Sequence, residues 1–256
     1  MMGPMDARPR AIFLLGPTAS GKTALGVQLA AQFPLALISV DSALVYRGMD
    51  IGTAKPDAGA LERTPHALID IRDPEQGYSA AEFRSDALAA MDAAHDAGRI
   101  PLLLGGTGLY FRALEWGLSL LPRADPGVRQ AIERDAAAQG WAALHAQLAL
   151  RDPQAAARIH RNDPQRIQRA LEVLVLTGRP MSAQQGGRCM RLPWRVLKLI
   201  VSAPDRGVLH ERIARRFESM VASGLLDELA RLRQRPGLRR YPQRRIQHRW
   251  AHRKRG

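Results

Sequence analysis

GPTASGKT, residues 16–23, fits the pattern of a phosphate-binding loop, in which a glycine and any four residues precede Gly-Lys-Ser or Gly-Lys-Thr. An apolar run at residues 11–15 precedes the loop and a helix-forming run at residues 24–32 follows it, which is the strand-loop-helix context that such a loop requires. The alternative, an ordinary glycine-rich turn, does not explain why Lys and Thr stand at the required places. The sequence therefore predicts an α/β fold of the P-loop NTPase kind, a parallel sheet with flanking helices.

The residues of this loop suit the binding of phosphate groups. Gly16 and Gly21 let the backbone turn so that its N–H groups converge at a helix N-terminus, where the helix dipole favours an anion. Lys22 adds a full positive charge, and Thr23 can offer its hydroxyl to a Mg²⁺ ion that bridges phosphate oxygens. ATP is the default ligand of such a loop. The predicted phosphate contacts are Gly16, Pro17, Thr18, Ala19, Ser20, Gly21, Lys22 and Thr23.

The composition is typical of a globular protein. The chain has 256 residues, 46% of them hydrophobic, which is enough for a proper core in about one or two domains. It has no apolar run of about 18 residues, and residues 1–10 lack the apolar segment of a secretory signal, so we expect a cytoplasmic protein with no membrane partner. A single cysteine, Cys189, excludes an internal disulfide framework and a multi-cysteine zinc site.

The formal net charge of +14 is concentrated near the C-terminal end. Residues 231–256 contain eleven Arg and Lys and no Asp or Glu, so residues 1–230 carry 27 basic against 24 acidic side chains. The charge of the globular part is therefore weak evidence for nucleic-acid binding, and a case for it has to rest on specific residues.

Two further apolar runs end in residues that the fold should bring next to the phosphate-binding loop. Residues 35–40 are predicted to form a buried parallel strand that ends at Asp41, and residues 100–104 another that ends in a small-residue turn containing Thr107. Because ligands bind beyond the carboxyl ends of the strands in such sheets, we expect Asp41, this turn and the loop to share one rim. Residues 46–57 are predicted to form a loop that covers the rim.

A helical insertion follows. Before it, Ser79 and Glu82 form a predicted capping box that opens a helix ending near residue 97. From about residue 118 to 193 the pattern is helical with Pro-containing joints, and we interpret this segment as the insertion.

One helix of the insertion carries basic side chains. Asp163 is predicted to cap it, Pro164 to begin it, and Ile167 to belong to its apolar stripe. Arg166 and Arg169 share another face, which is either a solvated charged surface or a contact with RNA.

The core is predicted to resume with a strand at residues 195–201 and an amphipathic helix at residues 205–223. The helix carries Arg212, Arg215 and Arg216. One or two of these arginines could reach a bound diphosphate at the rim, and the alternative is a surface ladder of ion pairs with neighbouring glutamates.

Six stretches are recognisable when taken together. They are GPTASGKT at 16–23, DSALVYRGMDIGTAKP at 41–56, YSAAEFRSDA at 78–87, IPLLLGGTGLYFRAL at 100–114, RIHRNDPQRIQRALEV at 158–173 and the helix around Arg212 and Arg216. Through them the sequence resembles the bacterial tRNA dimethylallyltransferases, the tRNA isopentenyltransferase family. The resemblance is nearly continuous from about residue 10 to 235.

The resemblance implies transfer of a dimethylallyl group from dimethylallyl diphosphate to N6 of the adenosine at tRNA position 37, next to the anticodon. The loop then holds a diphosphate leaving group rather than ATP, with Mg²⁺ as cofactor. By carry-over from the family, Asp41 is the general base, and Thr107 and Lys22 complete the catalytic set. The diphosphate is contacted by the loop together with Arg212 and Arg216. The implied tRNA contacts are Asp41, Ser42, Ala43, Leu44, Thr107, Arg129, Gln165, Arg166, Ile167, Gln168 and Arg169.

The predicted organisation has four parts. Residues 1–117 and 195–236 form the P-loop core, residues 118–194 a tRNA-facing helical insertion, and residues 237–256 a basic tail that does not match the family. We interpret the tail as a product of out-of-frame translation or gene truncation, and we expect a monomer.

Two alternatives to the transferase remain open at this point. One is a small-molecule kinase, in which ATP donates a phosphoryl group and Asp41 orients the acceptor hydroxyl. The other is an inactive RNA-binding remnant whose basic tail contacts phosphates without regard to sequence.

Overall fold

The computed structural model describes residues 8–119, 121–184, 191–203 and 205–236. Cys189 and the basic tail at 237–256 lie outside this range. The described residues form two compact units, one built from residues up to 115 and from 192 onward, the other from residues 116–191. No described helix is long and apolar enough to cross a membrane.

In the first unit strands and helices alternate as far as β5, which two helices follow, and the elements described in the second unit are helices. In chain order the elements are β1 (Arg10–Leu15), α1 (Lys22–Gln32), β2 (Leu35–Val40), α2 (Ala58–Arg63), β3 (His66–Ala67), α3 (Ala80–Asp96), β4 (Ile100–Gly105), α4 (Gly108–Trp116), α5 (Pro126–Gln139), α6 (Trp141–Arg151), α7 (Pro153–Arg158), α8 (Pro164–Thr177), α9 (Met181–Gln184), β5 (Arg195–Ile200), α10 (Arg206–Ala222) and α11 (Leu225–Gln234).

The five described strands form one parallel sheet in the order β3-β2-β4-β1-β5. Leu15 at the end of β1 and Val40 at the end of β2 both pair with Gly105 at the end of β4. The segments that follow these three strands therefore start at one edge of the sheet. The predicted α/β class and the shared rim are confirmed.

Two glycines allow this edge to close up. A Cβ atom at Gly105 would collide with the backbone carbonyl of Val40, and one at Gly16 with the backbone carbonyl of Val201. The ends of neighbouring strands thus approach at positions where only glycine leaves room for the backbone. Below the rim, α3 and α4 pack on the sheet through a core that includes Phe13, Phe83 and Leu114, all fully buried.

Local capping signals fix several helix starts. Ser79 and Glu82 make both bonds of the predicted capping box at α3. In the helical unit, Asp125, Asp152 and Asp163 each accept a backbone N–H from the first turn of a helix that begins at proline. The aspartate cap and first-turn proline predicted for α8 are therefore also found at the starts of α5 and α7, because both residue types favour a helix N-terminus.

The helix α11 was not among the predicted elements. Gly224, in the left-handed region at φ 95°, follows the end of α10 and stands directly before α11. The sequence predicts only a helix stop at this glycine, whereas in the structure a second helix begins directly after it.

Candidate active site at the phosphate-binding loop

The phosphate-binding loop joins β1 to α1 and places Lys22 at the first position of that helix. Gly21 precedes the helix at φ 91° and has no side chain with which to cap it, so the N-terminal N–H groups are available to an anion. Ala19 also has a positive φ of 64°, a conformation that costs about 1–2 kcal/mol for a residue with a Cβ atom. Such strain is typical of functional loops.

Lys22 lies in a cluster of charges at this rim. Its ammonium group donates to the carbonyl oxygen of Pro17 at 2.9 Å. Burial lowers the pKa of Lys22, the negative charge of Asp41 opposes this effect, and the positive charge of Arg216 adds to it. Burial likewise lowers the pKa of Arg216, and Asp41 again opposes the shift. The charge of one carboxylate therefore acts on two partly buried cations, which leaves a net positive site suited to an anion.

A cleft of about 850 Å³ opens beside these cations. Its walls come from the phosphate-binding loop, α1, the segment that leads into and through α2, β3 and α10. The lining residues are Ala19, Gly21, Lys22, Thr23, Ala24, Val27, Gln28, Ala54, Pro56, Ala60, Arg63, Thr64, His66, Arg212 and Arg216. The lining of the cleft thus combines the cations Lys22, Arg63, Arg212 and Arg216 with apolar residues of the loop, α1 and α2.

The arginines of α10 divide between the two roles that the sequence left open. Arg212 and Arg216 line the cleft. Arg215 instead pairs with Glu211 at 3.2 Å on the exposed side of the helix. The structure therefore puts Arg212 and Arg216 within the candidate site, and Arg215 in a surface ion pair.

Backbone N–H groups donate to the side chains of Asp41, which follows β2, and Thr107, which follows β4. One carboxylate oxygen of Asp41 accepts the N–H groups of Ala43 at 2.8 Å and Leu44 at 3.4 Å. The N–H of Ser42 donates to the hydroxyl of Thr107 at 3.2 Å, which joins the ends of β2 and β4. The second carboxylate oxygen of Asp41 keeps its lone pairs for a proton or a ligand.

The donor groups at the loop also fit a magnesium ion. Mg²⁺ is usually bound through one or two protein oxygens together with substrate phosphates and water, rather than by a cage of protein ligands. Thr23 is exposed at the start of α1, where its hydroxyl can meet an ion held by phosphate oxygens. Within the described ranges no cluster of three or more His, Cys, Asp or Glu side chains offers a separate cage.

In the helical unit, two of the three arginines predicted to contact tRNA, Arg129 and Arg169, converge on one buried acid. Glu172 of α8 is fully buried and accepts bonds from Arg129 at 2.9 and 3.2 Å, from Arg169 at 2.6 Å and from the N–H of Asp125 at 2.9 Å. Burial alone would raise the pKa of Glu172, but these donors outweigh it and the pKa lies below its usual value. Arg129 and the N–H of Asp125 thus hold α5 against α8. Arg169 lies on α8 itself and joins that helix to the carbonyl oxygen of Pro122.

The other predicted tRNA contacts of α8 differ in how far they reach the surface. Arg166 pairs with Asp163 at 3.3 Å and its side chain is 71% exposed, while Gln165 is also exposed. Gln168 donates to Glu133 at 3.0 Å. Ile167 is fully buried in the core of the helical unit. The prediction of Ile167 as a tRNA contact is therefore wrong, because its side chain belongs to the apolar stripe that packs α8.

Substitution of Glu172 tests the packing role of this cluster. Glu172→Ala should lower the free energy of unfolding by about 1–3 kcal/mol, because the hydrogen-bond donors around Glu172 lose their acceptor. The loss should stay below that for a fully buried ion pair, since Arg129 and Arg169 remain 41% and 30% exposed and can turn to water. Urea denaturation followed by circular dichroism measures it, with the exposed Asp135→Ala on α5 as control. Equal midpoints for the two variants would contradict the prediction.

The fold and this rim define the class of the protein: an α/β P-loop protein whose cationic cleft suits a diphosphate. The sequence profile of the IPP transferase family matches residues 44–249, and the chain belongs to this family. The match begins after the phosphate-binding loop and runs past residue 236 into the basic segment at 237–256, which is predicted not to match the family.

Curated relatives share most of the chain. The tRNA dimethylallyltransferase of Alkalilimnicola ehrlichii is 61% identical over 232 residues, which are 91% of this chain and 73% of that protein. The protein of the same name from Thioalkalivibrio sulfidiphilus is 61% identical over 236 residues, 92% of this chain and 74% of that protein.

Solved structures agree with this assignment. The tRNA isopentenylpyrophosphate transferase of Bacillus halodurans has 40% identity and a TM-score of 0.59, over 90% of this chain and 71% of that one. A eukaryotic dimethylallyltransferase acting on tRNA has 26% identity and a TM-score of 0.72, over 93% of this chain and 59% of that one.

Sequence reasoning did not predict a role for Lys55 or Glu228 near the site. The side chain of Lys55 is only 4% exposed and donates to the carbonyl oxygen of Tyr46 and to the carboxylates of Asp50 and Asp70. One signal could have found it. The sequence has four lysines against 34 arginines, so the lysine within residues 46–57 stands out as a compact cation.

Proposed function

We propose that the chain transfers a dimethylallyl group from dimethylallyl diphosphate to N6 of the adenosine at position 37 of tRNA, next to the anticodon. The observation that carries this proposal is the cleft at the phosphate-binding loop, where Lys22 and Arg216 line a partly apolar wall and the charge of Asp41 acts on both cations. The cations suit a diphosphate, the apolar wall suits an isoprenoid chain, and the carboxylate suits a proton. The names of the family and of its relatives support the same reaction.

In this reaction N6 of the adenosine attacks C1 of the dimethylallyl group, the bond from C1 to the diphosphate oxygen breaks, and diphosphate leaves. Negative charge grows on the leaving oxygen as the bond breaks. Lys22, Arg212, Arg216 and the N–H groups of the phosphate-binding loop stabilise that charge. Mg²⁺, held through the Thr23 hydroxyl and phosphate oxygens, would neutralise further charge on the diphosphate.

The second requirement is removal of a proton from N6, which is a weak nucleophile. Asp41 accepts backbone N–H groups at one carboxylate oxygen, which fixes the direction of the other. The free oxygen takes the N6 proton as the new N–C bond forms. Thr107 stands beside this carboxylate through its bond to Ser42 and has a hydroxyl proton to donate to the target nucleotide.

The tRNA partner fits the remaining surface groups. An adenine in a stacked anticodon loop has to leave the stack before its N6 can reach a protein carboxylate. Ser42, Ala43 and Leu44 adjoin Asp41 and are proposed to contact the extruded nucleotide. Gln165, Arg166 and Gln168, together with the exposed edges of Arg129 and Arg169, are proposed to contact the RNA backbone. We propose a monomer as the active form.

A transfer assay tests the function. The purified chain, Mg²⁺, dimethylallyl diphosphate labelled in the prenyl group and an anticodon stem-loop with adenosine at position 37 should give labelled RNA. Mass spectrometry of the digested RNA should then identify N6-dimethylallyl-adenosine. A stem-loop with guanosine at that position is the control. Phosphoryl transfer from ATP to a small acceptor without RNA labelling would favour the kinase. Salt-sensitive binding of any RNA without labelling would favour the inactive remnant.

A further inference from the structure

The helix α11 packs on the loop that follows Asp41 in the chain. Leu232 of α11 shares a buried cluster with Val45, Tyr46 and Met49. At the other end of the helix, Leu225 lies so close to Gly52 that a Cβ atom there would be 3.1 Å from its Cδ1 atom. Beyond α11, Arg235 forms a bidentate ion pair with Glu75. The helix therefore contacts this loop from Val45 to Gly52.

Glu228 makes the polar part of this contact. This residue is buried, with only 3% of its surface exposed. Its carboxylate accepts three consecutive backbone N–H groups, from Asp50 at 2.8 Å, Ile51 at 2.7 Å and Gly52 at 2.9 Å. Consecutive N–H groups that converge on one anion form a nest, and bonds to an ionised acceptor are stronger than neutral ones. The carboxylate thus fixes the backbone of residues 50–52 at three points.

The fixed segment leads directly into the cleft wall. Ala54 and Pro56 line the cleft together with Lys22 and Thr23. Between them, Lys55 is buried and ties its own segment back to the carbonyl oxygen of Tyr46 and the carboxylate of Asp50. Ala54 and Pro56 lie only two and four positions beyond Gly52. A shift of the backbone at residues 50–52 should therefore also move these two residues of the cleft wall.

We propose that Glu228 is a positioning residue for the diphosphate donor: through its three bonds to residues 50–52 it sets the cleft wall formed by Ala54 and Pro56. It touches neither substrate nor reacting atoms. The identity of the donor rests on the proposed function above, whereas the effect on diphosphate binding does not depend on transfer.

The test compares Glu228→Gln with the wild-type chain. Inorganic pyrophosphate binding, measured by titration calorimetry without RNA, should weaken about tenfold, because the amide cannot accept all three N–H groups as an ion. The KM for dimethylallyl diphosphate should rise by a similar factor, while the KM for the stem-loop and kcat stay within about twofold. Hydrogen exchange at the amides of residues 50–52 should accelerate.

Two controls separate positioning from general stability. Leu232→Ala removes packing from the same helix but keeps the carboxylate, so its pyrophosphate binding should stay near wild type at a temperature where all variants are folded. Glu211→Gln makes the same chemical change on the exposed side of α10 and should have no effect.

Gly52→Ala tests the same contact from the side of the loop, since its new methyl group would press on Leu225 and on Glu228. The Gly52→Ala variant should therefore weaken pyrophosphate binding to the same extent as Glu228→Gln.

The results distinguish a failure of the positioning role of Glu228 from a failure of the proposed function. If Glu228→Gln and Gly52→Ala bind pyrophosphate like wild type, or if Leu232→Ala weakens binding equally, the positioning role is wrong. If the wild type shows no prenyl transfer but the two variants still lose pyrophosphate binding, the proposed function fails and the positioning role stands.

Discussion

Replacement of Asp41 by asparagine should slow prenyl transfer by about 10²–10⁴-fold, the range expected when a general base is removed. The loss should appear in kcat. Pyrophosphate binding should be retained or become slightly tighter, because Lys22 and Arg216 lose the carboxylate that attracts them and face the anion alone.

The substitution is conservative in structure, which makes the kinetic result interpretable. The side-chain oxygen of asparagine can still accept the N–H groups of Ala43 and Leu44, so the turn after β2 should keep its shape. The amide cannot accept the N6 proton. Single-turnover transfer and pyrophosphate calorimetry on the same preparation separate the two effects, with the exposed Asp92→Asn on α3 as control. An Asp41→Asn enzyme with near wild-type turnover would remove Asp41 from the role of base.

Much of the first unit could be predicted because its signals are local. The segment of β2 was predicted at residues 35–40 and is found there, since a parallel strand buried on both faces is one continuous apolar run. The caps at Ser79 and Asp163 could also be predicted from the sequence, because a capping side chain and the N–H group that donates to it are three residues apart. Strand order then brought Asp41, Thr107 and the loop to one rim.

The contacts that sequence reasoning missed join residues far apart in the chain. Glu228 binds N–H groups 176 to 178 residues away, and Glu172 binds Arg129 across 43 residues. Within a helix, either acid looks like an ordinary surface charge, and no local pattern shows that it is buried. Ile167 gives the opposite lesson. Its helical periodicity predicted a core position, and this local signal was right where the carried-over tRNA contact was wrong.

Replacement of Lys22 by alanine should weaken donor binding and slow transfer together. Lys22 lies half-buried in the cleft, where its charge meets the diphosphate both before and during bond cleavage. We expect the dissociation constant for pyrophosphate to rise about tenfold and kcat to fall about 10²–10³-fold, as when one preorganised donor to a developing charge is lost. Lys198→Ala is the matched control, because Lys198 lies on β5 in an ion pair with Glu115 outside the cleft.

The stability of the variant provides an independent check on this role. Burial lowers the pKa of Lys22, so at any pH below the pKa of an unfolded lysine the ammonium is less favourable in the folded protein than in the unfolded chain. Lys22→Ala should therefore keep or raise the thermal midpoint near neutral pH while it loses activity, which is the pattern of a charge retained for binding. A lower midpoint together with unchanged pyrophosphate affinity would instead make Lys22 a structural residue that holds the loop through Pro17.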